Sequence, residues 1–117
     1  MAIPSGSGTE VLKRSAKIGL NATNYDLITG VANHIYTILS VIFTETDGSA
    51  QKLDMRVDIS ASGSNPIQLL ERYDIASRDT FVWNDKIVLT GTDQLEVQTQ
   101  ASAVVDVYLT YIDQDWT

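Results

Sequence analysis

Along Leu53-Asp-Met55-Arg-Val57-Asp-Ile59, apolar and charged residues alternate strictly, putting four apolar side chains on one face and three charged ones on the other. Only a half-buried β-strand satisfies a period of two. From Ala103 to Ile112 the pattern returns, with Val105, Val107, Leu109 and Tyr111 on one face and Asp106, Tyr108 and Thr110 on the other. Runs rich in β-branched and aromatic residues predict further strands over Glu10–Ile18, Tyr25–Thr29, His34–Thr44, Ile67–Tyr73, Thr80–Trp83, Lys86–Leu89 and Leu95–Thr99. The His34–Thr44 run is long enough for a helix, but its β-branched content predicts a central strand, buried on both faces for part of its length.

Turn-forming clusters fall between these runs: Asp47-Gly48-Ser49, Ser62-Gly63-Ser64-Asn65-Pro66, Asn84-Asp85 and Thr90-Gly91-Thr92-Asp93. No sustained helical stripe with caps is present, and Pro66 to Arg72 is the one segment expected to make a helical turn or two. Short strands and turns repeating roughly every 10 residues predict an all-β fold, an antiparallel β-sandwich or jelly roll. Residues 1–9 stand apart, with Pro4, Gly6 and Gly8 and with Ile3 as the only large branched apolar residue. They read as an extended N-terminal arm that docks outside its own core, ahead of a single sandwich domain over residues 10–117.

A chain of 117 residues supports one core rather than two. Fifteen acidic residues against eight basic ones give a formal charge of −7, a field that repels phosphate backbones, so nucleic acid is not an expected partner. Neither an apolar run of membrane-spanning length nor a secretory leader is recognisable, so no membrane partner is expected. The absence of cysteine removes disulfides, thiolate nucleophiles and the commonest zinc sites.

The single histidine, His34, has no nucleophile-elbow context and reads as a strand-edge or interface residue. The acidic clusters Glu45-Thr-Asp47-Gly48 and Asp113-Gln-Asp115 lack the spacing of a calcium loop and read as solvated turns. Gly6 and Gly8 form no phosphate loop, and the Asn21-Ala-Thr23 sequon reads as coincidental. No catalytic residue, metal or cofactor is assigned, and the chain is not expected to be an enzyme. Trp83, Tyr108, Tyr111 and Trp116 suit core and interface packing. Ile3, Pro4, Trp83 and Trp116 are the expected interface residues, with Trp116 either filling a partner pocket or folding back over its own core edge.

Four segments together carry a family likeness: Ile3-Pro-Ser-Gly-Ser-Gly-Thr-Glu-Val-Leu-Lys-Arg14, Val31-Ala-Asn-His-Ile-Tyr-Thr-Ile-Leu-Ser-Val41, Phe81-Val-Trp-Asn-Asp-Lys-Ile-Val-Leu-Thr-Gly-Thr-Asp-Gln-Leu95 and Val107-Tyr-Leu-Thr-Tyr-Ile-Asp-Gln-Asp-Trp116. Over nearly its whole length the chain resembles small virion proteins of tailed bacteriophages, in particular capsid decoration (cement) proteins. The resemblance implies a sandwich or jelly roll assembled as a symmetric oligomer, commonly a homotrimer, on the capsid surface. It implies the major capsid protein as partner, the virion as location and assembly in the host cytoplasm. The same likeness extends to minor head, head–tail connector and tail components. A carbohydrate-binding attachment module is the alternative from another class, with Trp83 and Trp116 as its platforms.

Overall fold

The computed structural model describes residues 8–64, 66–100 and 104–117. These form β1 (Thr9–Leu20), β2 (Tyr25–Thr29), β3 (His34–Glu45), β4 (Gln51–Asp58), β5 (Ile67–Ile75), β6 (Thr80–Trp83), β7 (Ile87–Thr90), β8 (Gln94–Thr99) and β9 (Val105–Asp115). The alternating runs become strands to within a few residues of their expected ends. Pro66–Arg72 makes no helical turn: from Ile67 the chain runs on as β5, because Leu70 and Ile75 reach the core from an extended backbone. The one short helix among the described residues is a 3-10 turn at Ile59–Ala61, which takes Ile59 out of the β4 pattern and leaves it exposed.

Strands pair from the outside of the sequence inward: β1 with β9, β2 with β8, β3 with both β6 and β7, and β4 with β5. β9 also pairs with β3, and β8 with β4, all antiparallel. The result is a five-stranded sheet packed on a four-stranded sheet, the nested order of a jelly roll. Between the sheets lies one apolar core, to which the first sheet contributes Ile38, Val41, Phe43 and Leu109 and the second Leu53, Met55, Leu95 and Val97. Gly30 sits where the β2 end meets the β7–β8 turn, and a Cβ there would collide with the carbonyl oxygen of Gly91.

Five carboxylates are buried among the described residues, Glu45, Asp54, Asp58, Asp93 and Asp113. Alternation assigned Asp54 and Asp58 to a solvent face, but the bulged β4–β5 pairing and the 3-10 turn fold backbone over them. Asp54 Oδ1 accepts the Arg72 amide at 3.0 Å, and Asp58 Oδ2 accepts the Gly63 amide at 3.0 Å. Asp93 accepts the amides of Ser60 and Thr90 at 2.8 and 3.0 Å. Charge-assisted bonds of this kind compensate the desolvation of the carboxylate and fix the loop that donates.

Candidate interaction face

Direct cross-strand partners share a face, so the registers define the outer surface of the five-stranded sheet. One row runs Ala16, Tyr108, Ile42, Val82 from β1 through β9 and β3 to β6. A second runs Leu12, Ile112, Thr37, Val88 from β1 to β7. Between them lie Arg14, Thr110 and Ser40. Ala16, Ile18, Ile42, Thr44 and Tyr108 line a shallow groove at one end of the face. Leu12 is 69% exposed, Ile18 84%, Val82 48%, Val88 58% and Tyr108 42%. Apolar side chains this exposed on one face make it the candidate contact surface among the described residues.

The expectation that β3 is buried on both faces holds on one side only. Tyr36, Ile38, Val41 and Phe43 are buried against the core, while Thr37, Ser40 and Ile42 on the other side are half-exposed and Leu39 is exposed. Nothing in the described chain lies over that side.

One solved structure superposes over the full length of the chain, and two others are similar at lower scores. A protein of Bacillus endospore appendages, described as a family of disulfide-linked pili, superposes with a TM-score of 0.59 at 13% identity, over 100% of this chain and 97% of that one. A pentameric capsid protein from metagenomic phage sequences gives a TM-score of 0.45 at 14% identity, over 87% of this chain and 61% of that one. An infectious bursal disease virus Gx strain structure gives 0.41 at 9% identity, over 96% and 35%. Neither a protein-family model nor a curated protein matches the sequence.

Of the expected interface residues, Ile3 and Pro4 lie outside the described residues. Trp83 pairs with inward-facing Val41, packs half-buried on the core margin, and donates Nε1–H to the Asp85 carbonyl at 2.9 Å. Its neighbour Val82 is the one on the outer face. Trp116 is half-buried over Gly8, where an added Cβ would stand 2.8 Å from the indole, and its own amide donates to the Asn33 carbonyl at 3.0 Å. Those contacts set the start of β1 against the chain's end. We expect Trp116→Ala to lower the melting temperature by about 5 °C. Unchanged melting with weakened partner binding would assign the indole to an interface instead.

The acidic clusters are solvated only in part: Asp47 lies on an exposed bend and Asp115 is half-exposed, but Glu45 and Asp113 are buried. Glu45 ends β3 at 1% exposure and accepts the Asp47, Gly48 and Arg78 amides at 2.8, 2.8 and 2.9 Å. Asp113 lies inside β9, buried, and bonds Lys13 Nζ at 2.9 Å and His34 Nδ1 at 2.7 Å. His34 stacks on Tyr36 with ring centroids 5.7 Å apart, a structural placement that ties β1, β3 and β9 together. Burial pushes the Asp113 carboxyl up, but the Lys13 and His34 bonds outweigh it and hold it below the ordinary value. No three His, Cys, Asp or Glu side chains converge as metal ligands among the described residues. What the outer face offers is exposed apolar area flanked by the charged side chains of Glu10 and Arg14.

Proposed function

We propose that this chain is a virion structural protein, and more narrowly a decoration protein that seats on the outer capsid surface and bridges neighbouring major capsid subunits. The observation that carries the reading is the uncovered apolar face spanned by Leu12, Ile18, Tyr108, Val82 and Val88. Such a face loses little by being flat if its partner is a broad protein shell. A ligand that binds the assembled shell and not its dissociated subunits stabilises the shell by its own binding free energy. The sequence resemblance supports a capsid as that shell, with threefold positions as the seats of a homotrimer.

A filament subunit is the second reading, favoured by full-length superposition on the pilus protein. With no cysteine, such a filament has no disulfide linkage available. Electron micrographs of concentrated protein alone separate the two, since filaments without any capsid belong only to the second.

The test uses particles of the cognate major capsid protein assembled without this chain. Added full-length protein is expected to bind to saturation at copy numbers matching the capsomers and to raise the temperature at which the shell opens. Saturation at about six or twelve copies would move the protein to a ring at a connector or tail. The Δ1–9 protein is expected to reach lower occupancy than full-length protein. Equal occupancy and equal heat resistance would remove any docking role from the arm.

A further inference from the structure

The edges of the two sheets are not alike. β6 and β7 are four residues long, β2 is five with a register shift, and β5 is shifted twice against β4 with Arg72 at φ 51°. Short, bulged or twisted edges resist pairing with another chain. β1 is different: twelve residues long, paired among the described residues only with β9, and in unbroken register from Thr9 to Lys17. Lys17 is engaged over the Tyr25 ring, 5.2 Å from its centroid, so the open stretch ends near Ala16. Every residue from Thr9 to Arg14 is exposed.

We infer that this edge takes a second copy of the same chain, β1 against β1 antiparallel, about a two-fold axis through Leu12. The register follows from the side chains. A two-fold axis perpendicular to the sheet keeps outer face with outer face, and centring it on Leu12 sets Glu10 of each copy opposite Arg14 of the other. It stacks Leu12 on its own equivalent and lays Val11 along the aliphatic stem of Lys13, whose ammonium stays with Asp113. Centring on Glu10, Lys13 or Arg14 instead opposes two like charges, and centring on Val11 opposes no charges at all. Among the described residues Arg14 has no ion-pair partner, and Glu10 meets only the Gln114 amide. Pairing there would join two five-stranded sheets into one and make their apolar outer faces continuous. This goes beyond the capsid reading and concerns the free chain.

Sedimentation equilibrium of the full-length protein, without particles, tests it. The unmodified chain is expected to be a monomer–dimer mixture in the micromolar range. Glu10→Arg and Arg14→Glu each put like charges opposite one another twice per dimer, and each is expected to weaken dimerisation roughly tenfold. The double variant Glu10→Arg/Arg14→Glu restores opposite charges and is expected to restore the dimer, which a misfolded variant would not. Amide exchange over residues 9–16 slows with rising concentration in the unmodified protein and the double variant only. A monomer at all concentrations overturns the inference. So does a trimer whose mass ignores the single reversals, and that result leaves the threefold capsid reading standing.

Discussion

Glu45→Ala is expected to lower the melting temperature by roughly 10 °C at neutral pH, the largest single effect of any polar residue in this chain. Its carboxylate is a knot between two loops that are remote in sequence. Oε2 accepts the Asp47 amide, and Oε1 accepts the amides of Gly48 and Arg78. Its own amide donates to the Asp79 carbonyl at 3.0 Å. Truncation leaves the Asp47, Gly48 and Arg78 amides, among others, without this acceptor, and both Gly48 and Arg78 hold positive φ angles that those bonds help maintain.

The pH dependence has a definite sign. Burial raises the Glu45 carboxyl, but the backbone amides of Arg78, Asp47, Gly48 and Ser49 outweigh it, so its folded value lies below the ordinary 4.5. A carboxylate depressed by folding contributes stability that is complete above its unfolded value and is lost as pH falls through the folded one. The gap between the native protein and Glu45→Ala should therefore be full at about pH 7 and shrink progressively below about pH 4.5. Asp113 is depressed as well, but it is present in both proteins and cancels from the difference. Thermal melts of the pair across that range decide the matter, and a gap that stays constant in acid would show that the carboxylate charge is not what holds the loops.

The second large effect is expected on the outer face. Tyr108→Asp combined with Val82→Asp should weaken binding to capsid particles by about a hundredfold, since two apolar anchors are lost and two charges must be desolvated. Both side chains are exposed in the free chain, so its melting temperature should move by no more than a few degrees. Ile67→Asp supplies the control: Ile67 is 54% exposed on β5 of the opposite sheet, outside the proposed contact. Undiminished binding by the double variant, or equal loss from the Ile67 control, would take the contact away from this face.

Strand identity was legible residue by residue. Alternation in Leu53–Ile59 and Ala103–Ile112, and β-branched content in His34–Thr44, are local properties, because side-chain direction along an extended backbone depends only on parity. The turn clusters were legible for the same reason, since the preferences of Gly, Asn and Asp are written in their own φ and ψ. The interaction face was not. Its signal was present as apolar residues at both parities, Ile42 beside Phe43 and Ile112 beside Tyr111, which alone cannot distinguish a strand covered twice from one left bare on one side.

Chain order alone likewise determined that this protein is an acidic, cysteine-free β-sandwich built from alternating strands. Only the tertiary structure decided which acids are buried and which apolar residues are not. Whether Glu45 is a solvated turn residue or a buried acceptor depends on the Arg78 amide, 33 residues away, reaching its carboxylate. Whether Leu12, Tyr108 and Val82 make one surface depends on β1, β9 and β6 lying in one sheet around β3. Those adjacencies arise from nested pairing between distant parts of the chain, and no local periodicity encodes which distant strand becomes a neighbour.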